Sequence, residues 1–202
     1  MSIVVNHDKR QKMILKKSMK LFAEYGYADV TYQKIADKCG IARTTLYKYF
    51  QNKREVFDAT VREVTVVLEH RYFEIMNTEG LSYEECLRQM MYSIIDNVFE
   101  QKVILSVILD YLISLRRSGN EVSRKVRRHT IKVRLLFREI LIGGVERDEF
   151  KKLNIRVVND ALYSICEAVI FKVTVAEIGY VTKEKCYDVV DLFIDGIKKD
   201  NK

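Results

Sequence analysis

Proline is absent from the 202 residues and only 8 are glycine. The residues that punctuate hairpins and sheet edges are thus scarce, while helix formers run almost unbroken, which predicts an all-α chain. Cysteine is sparse too. The 4 present, Cys39, Cys86, Cys166 and Cys186, lie far apart, form no CxxC pair, and each falls within an apolar helical pattern. They read as small core residues in a reducing compartment, with a redox-sensing thiol as the alternative. The 3 histidines, His7, His70 and His129, are too dispersed to form a ligand set. No Gly-rich phosphate loop, HExxH, GxSxG or dinucleotide fingerprint occurs. The carboxylate pairs Glu84-Glu85 and Asp148-Glu149 sit at a cap and in a loop. No catalytic residue, metal or cofactor is assigned, and the chain is not expected to be an enzyme. The most apolar run, Val103 to Leu115, is too short to span a membrane and carries Asp110 in its middle; the N-terminus also lacks the apolar stretch of a signal peptide. A cytoplasmic protein with no membrane partner is expected.

What is present is 48% hydrophobic and 31% charged, the composition of a soluble globular protein with one large or two small domains. The net charge of +7 is unevenly placed. Residues 1–53 hold 11 Lys or Arg against 4 Asp or Glu, and the remainder balances at 24 against 24. A polyanion such as double-stranded DNA is the partner this asymmetry suggests, because basic side chains that neutralise phosphates release condensed counterions. A merely solubilising surface is the alternative.

Within that basic segment, Ile14, Leu15, Ser18, Leu21, Phe22 and Tyr25 recur at helical spacing. They predict the inner face of a first helix that starts near Asn6 or Asp8 and stops at Gly26, with Tyr27 to Val30 as a link. Thr31 is expected to cap a second helix running to about Lys38. With Tyr32 as the first position of a helix-turn-helix, the small residue wanted at the fifth is Ala36, and the turn glycine at the ninth is Gly40. Ile35, Cys39, Ile41, Leu46 and Tyr49 supply the apolar fourth, eighth, tenth, fifteenth and eighteenth positions. A third helix, about Arg43 to Phe50, would bury Leu46 and leave Arg43, Thr44, Thr45, Tyr47 and Lys48 outward. Arginine can bond a guanine bidentately and threonine offers a hydroxyl and a methyl, whereas Tyr47 and Lys48 suit flanking phosphates.

The run TYQKIADKCGIARTTLYKYFQNKREVF, beginning at Thr31, resembles the DNA-binding domain of the TetR family of bacterial transcriptional regulators. The resemblance is specific across about residues 10–58 and architectural beyond. It implies that Thr31 contacts a phosphate at the start of helix two, that Tyr47 and Lys48 bind the DNA backbone, and that Lys53 clamps another phosphate at the start of helix four. It also implies that Tyr32, Gln33, Arg43, Thr44 and Thr45 approach the groove. Tyr49 stands where an aromatic or His is usual.

Further along, Asn52 is expected to cap a helix four reaching Met76, with Val56, Phe57, Thr60, Val61, Val64, Val67, Leu68 and Phe73 as its apolar stripe. A helix that long would bridge two domains. Ser82 with Glu85 is a capping-box signature for helix five, whose inner face is Tyr83, Leu87, Met90, Met91, Ile94 and Val98. Helix six, about Lys102 to Arg117, carries one polar stripe of Ser106, Asp110, Ser114 and Arg117, read as a solvated edge or the lining of a cavity. Ser118, Gly119 and Asn120 mark a turn. Helix seven, about Glu121 to Val145, opens with Arg124, Lys125, Arg127 and Arg128, followed by Lys132, Arg134 and Arg138. This cluster is either a solvated face balanced by nearby acids or a seat for an anionic effector. Gly143 and Gly144 with Asp148 to Phe150 are expected to form a loop. Asn154 caps helix eight, apolar nearly all round at Ile155, Val158, Leu162, Ile165, Val169, Ile170, Val173 and Ile178. Thr182 caps helix nine. Two such terminal helices suggest a homodimer formed as a four-helix bundle, which is also where the resembling family dimerises.

The expected architecture is therefore all-α with about nine helices. A three-helix DNA-binding domain at 1–53 precedes a larger ligand-binding and dimerisation domain at 54–202. The expected function is a ligand-responsive, sequence-specific transcriptional regulator, a repressor binding a palindromic operator as a homodimer. Its effector would be a small molecule of apolar or anionic character, with unassigned pocket residues. The alternative is a non-specific or architectural DNA-binding protein whose C-terminal helices only dimerise it.

Overall fold

The computed structural model describes residues 2–117, 124–175 and 181–199, with side chains except at 2–6, 63–65 and 124–130. Among these residues nine α-helices follow one another: α1 Ser2–Asp29, α2 Tyr32–Cys39, α3 Arg43–Tyr47, α4 Lys53–Met76, α5 Tyr83–Glu100, α6 Lys102–Arg117, α7 Arg124–Glu146, α8 Ile155–Thr174 and α9 Lys183–Ile197. The all-α expectation holds. The helices form two compact units, Met1–Thr65 with Val103–Val122, and Val66–Lys102 with Ser123–Lys202. Helix α6, which follows the 53/54 boundary in the chain, thus packs with the N-terminal helices.

In the first unit, α1 begins at Ser2, ahead of the expected caps, and its helical backbone breaks at Gly26 (φ 72°, ψ 169°) before a last turn to Asp29. Glycine reaches that positive φ without a Cβ penalty. Ile14, Leu15, Ser18, Leu21 and Phe22 are buried as expected, but Tyr25 points outward, with the Lys34 ammonium 5.1 Å from its ring centroid. Thr31 Oγ1 accepts from the Lys34 N–H, and Gly40 ends α2 in the left-handed region (φ 68°). Each cap satisfies backbone groups that a short helix leaves open. Asn52 Oδ1 accepts from the Glu55 N–H at 2.9 Å, and Glu55 reaches back to the Gln51 N–H at 2.6 Å, fixing the start of α4. The core joins Ile14 and Phe22 of α1, Ile35 and Ala36 of α2, Leu46 of α3, Val56 and Phe57 of α4, and Ile104, Val107 and Tyr111 of α6. Each large apolar side chain so buried contributes about 1.5–3 kcal/mol.

In the second unit, α5 lies at the centre, packed against α7, α8 and α9. Leu87, Met90, Met91 and Ile95 of α5 and Phe137, Ile140 and Leu141 of α7 are fully buried. The stripe expected on α4 needs correction in its second half. Tyr72 and Ile75 are buried, whereas Val67 and Phe73 are exposed, because the helical register from Val61 through Leu68 leads to Tyr72 and Ile75. Val64 lies among the undescribed side chains. The loop expected at Gly143 and Gly144 is also corrected: both lie inside α7, which runs on to Glu146. Their role is close approach. A Cβ on Gly143 would lie 2.3 Å from the Tyr83 ring, and one on Gly144 would lie 2.3 Å from the Phe150 ring. The turn itself comes at Asp148, with φ 63°.

An ion-pair lattice joins α5 to α9. Arg88 donates to Glu84, Asp191 and Asp195, and Tyr92 donates to Asp191 at 2.5 Å. Of the basic cluster of helix seven, Lys132 pairs with Glu69 at 2.7 Å and Arg134 with Asp160 at 2.7 Å, which favours the compensated face. The side chains of Arg124, Lys125, Arg127 and Arg128 lie outside the described set, as do residues 118–120, Glu121 and Ile178. All four cysteines are buried and free, and burial pushes each thiol up, Cys166 to about 12. This supports core packing over redox sensing.

Candidate nucleic-acid interface

The helix-turn-helix is held from below by Leu46, the fully buried residue of α3, and across the turn by the Ile41 N–H donating to Ala36 O at 3.1 Å. Helix α3 is shorter than the sequence predicts, ending at Tyr47. The N–H groups of Lys48, Tyr49 and Phe50 then donate to Thr45 O, Leu46 O and Leu46 O at 3.1, 3.0 and 3.1 Å. That tight turn swings Phe50 into the core. Above Leu46 the chain leaves Arg43, Thr44, Tyr47 and Lys48 exposed and Thr45 half-buried.

The side chains are already engaged with one another. Arg43 Nη2 donates to the Tyr47 hydroxyl at 3.1 Å, and its guanidinium lies 5.8 Å from the Tyr32 ring centroid and 5.7 Å from that of Tyr47. Cation–π contact of this kind holds an exposed arginine without removing its remaining donors. Gln33 Nε2 donates to Asp37 Oδ1 at 2.8 Å on the exposed side of α2. Thr31 is exposed, with its hydroxyl oxygen serving the cap.

Two of the residues expected at DNA are placed differently from the rest. Tyr32 is buried, and its hydroxyl donates to Phe50 O at 2.5 Å. Burial pushes its pKa up to about 12. Lys53 is half-buried and donates to Tyr27 O at 2.8 Å and Ala28 O at 3.2 Å. Burial lowers its pKa, and two of its three N–H donors are taken.

One neighbour of the site has no signal in the sequence. The His7 ring lies 4.5 Å from that of Tyr49, so the start of α1 reaches the segment that follows α3. A helix that starts at Asn6 or Asp8 carries no spacing signal for that contact. In the second unit, a cleft of about 390 Å³ between α4 and α5 is lined by Leu68, His70, Glu74, Asp96, Asn97 and Glu100 among others. A second groove of about 300 Å³ lies between α8 and α9. Among the described residues no group of His, Cys, Asp and Glu could hold a metal ion, and no helix is long and apolar enough to cross a membrane.

Residues 14–60 match the model of the tetR family of bacterial regulatory proteins. The uncharacterised HTH-type transcriptional regulator YuxN of Bacillus subtilis is 28% identical over 102 residues, 50% of this chain and 34% of its own length. The HTH-type transcriptional repressor Rv1474c of Mycobacterium tuberculosis is 32% identical over 72 residues, 36% of each chain. The chain thus spans about a third of the length of these two curated relatives in the matched region. The structure of the fatty acid degradation regulator FadR from Bacillus halodurans has the same fold, with a TM-score of 0.75 and 21% identity over 92% of this chain and 94% of that one. The match to the tetR family of bacterial regulatory proteins thus falls on the helix-turn-helix segment, and the fold of the whole chain is the one that the FadR structure has.

Proposed function

We propose that this protein is a sequence-specific, ligand-responsive transcriptional regulator, a repressor that binds a palindromic operator as a homodimer. The observation that carries the reading is the surface above Leu46, where Arg43, Thr44, Tyr47 and Lys48 stand exposed on a helix whose underside is fully buried. Arg43 and the two threonines would discriminate bases while Thr31, Tyr47 and Lys48 bind the backbone, with Gln33 and Tyr49 beside them. Lys53 has one donor left for a phosphate. A relative named as a repressor favours repression.

Dimerisation through α8 and α9 is supported by an exposed, largely apolar seam. Along α8 and its C-cap Val175, the residues Val157, Ala161, Ser164, Ala168, Phe171 and Val175 alternate spacings of four and three, with Val157 60%, Phe171 56% and Val175 52% exposed. On α9, Val189, Leu192 and Gly196 follow at spacings of three and four, with Leu192 77% exposed. This is the period of packed helix pairs, and the small residues let backbones approach. The two-fold axis of such a bundle would match a palindrome.

Residues 1–53 would read DNA and 54–202 would dimerise and respond to an effector, with α4, whose residues belong to both units, as the continuous element between them. The cleft beside α4 carries Glu74, Asp96 and Glu100 against Arg71, so an anionic effector is not favoured there. The deciding experiment is a binding-site selection on random DNA. A palindrome is expected, and Arg43→Ala should relax preference at one base position. An architectural protein would return no palindrome, and equal losses on random and selected DNA would sink the base-reading role.

A further inference from the structure

We propose that Tyr32 touches no DNA and is instead a positioning residue that holds Arg43 for base discrimination; the inference rests on the reading of Arg43 given above. Tyr32 is 9% exposed. Its hydroxyl bonds to Phe50 O across 18 residues, and its ring centroid lies 4.8 Å from that of Tyr47. The hydroxyl has a single proton to give. Offering it to a phosphate would leave the buried Phe50 carbonyl without this donor, an unfavourable exchange.

The bond closes a triangle. Helix α3 is joined to α2 at one end by the Gly40 turn, and the segment after α3 returns to the first turn of α2 through Tyr32. With both ends fixed, the five-residue α3 cannot rotate freely about the Leu46 anchor. The Tyr32 and Tyr47 rings then form a rail beneath the Arg43 guanidinium, at 5.8 and 5.7 Å. Tyr47 takes one of the five guanidinium donors, leaving enough for a bidentate contact to guanine. A side chain already confined loses less rotamer freedom on binding.

Tyr32→Phe keeps the ring and removes the bond to Phe50; Tyr32→Leu removes the rail as well. The full-length protein and both variants are compared by selection on random DNA, by titration of the selected site and random duplex at several salt concentrations, and by thermal midpoint. Tyr32→Phe is expected to lose roughly three- to tenfold in affinity for the selected site, to blur the base position read by Arg43, and to leave the salt slope and random-DNA affinity unchanged. Adding it to Arg43→Ala should change base preference no further. A salt slope lower by about one, with equal loss on random DNA, would instead make Tyr32 a phosphate contact. A lowered midpoint with intact base preference would make it merely structural. Either result overturns the proposal while Arg43→Ala still relaxes a base; if Arg43→Ala relaxes none, the reading beneath it has failed first.

Discussion

The Lys53 ammonium donates to the carbonyl of Tyr27 and lies 4.3 Å from the centroid of the same residue's ring. One residue at the start of α4 thereby closes the last turn of α1, where carbonyls past Gly26 have no helical partner. The Tyr27 ring in turn lies 4.2 Å from Tyr111 of α6 and 4.8 Å from Phe57 of α4. Lys53 thus belongs to the scaffold that holds the end of α1 against the start of α4.

Lys53→Met should therefore act on stability before it acts on DNA. Methionine keeps the stem and deletes the donors, leaving two carbonyls unserved at a cost of about 1–3 kcal/mol. Urea denaturation should show a lower midpoint. Binding to selected and random DNA should weaken alike, and the salt slope should fall by about one if the remaining N–H reaches a phosphate. Unchanged stability would remove the scaffold role.

The fold was legible where local chemistry decides it. Thr31, Asn52, Ser82, Asn154 and Thr182 are caps by sequence, and each accepts a backbone N–H in the first turn of its helix. The helix-turn-helix pattern likewise located Ala36, Gly40 and Leu46. Legibility failed where the partner lies far along the chain. Nothing near Gly143 announces the ring of Tyr83 on another helix, so the glycine pair reads as part of a loop. The bond from Tyr32 to Phe50 spans the whole motif, and spacing alone cannot tell a buried phenol from one facing a groove. The switch from Phe73 to Tyr72 on α4 reflects a drift of one residue that accumulates over a long helix.

The two glycines of α7 should not be equivalent. Alanine at 144 would drive a methyl into the Phe150 ring, which is 2% exposed and has no room to move. Alanine at 143 meets the outer edge of Tyr83, a half-buried ring that can swing outward. Gly144→Ala is expected to destabilise by about 1–3 kcal/mol, and Gly143→Ala by less, in spite of the better helix propensity of alanine. Phe150→Leu should recover part of the loss in the 144 variant. The reverse order in thermal midpoints, or no rescue, would show that α7 makes room by another route.

Asp96 provides a pH test. Burial alone would raise its pKa, but bonds from Lys183 and Tyr187, both at 2.6 Å, outweigh burial and hold it below its ordinary 3.8. A carboxylate favoured in the folded state stabilises fully above its unfolded pKa, and the contribution fades as pH falls through the lower folded value. The pair is 34% and 42% exposed at its side chains, so screening limits the effect to about 1 kcal/mol. Asp96→Asn should lower the urea midpoint at pH 7 and converge with the parent protein in strongly acidic buffer. Parallel curves across the whole range would mean the pair is not linked to folding.

Leu192 is the most direct probe of the association surface. It is 77% exposed on α9 and lies between Val189 and Gly196 on a seam that repeats on α8. A large apolar side chain left so open makes little contact within its own protomer, so Leu192→Glu should cost folding little. In a four-helix bundle, by contrast, it would place a charge at a desolvated seam from each of two symmetry-related copies, and the interface would carry the penalty twice. Sedimentation should then report a monomer whose thermal midpoint reflects the lost association. Affinity for a palindromic site should fall far more than affinity for a single half-site, because only the dimer engages both halves without a second association step. If Leu192→Glu sediments as the parent does, α8 and α9 are not the contact between copies, and the apolar seam requires a different partner.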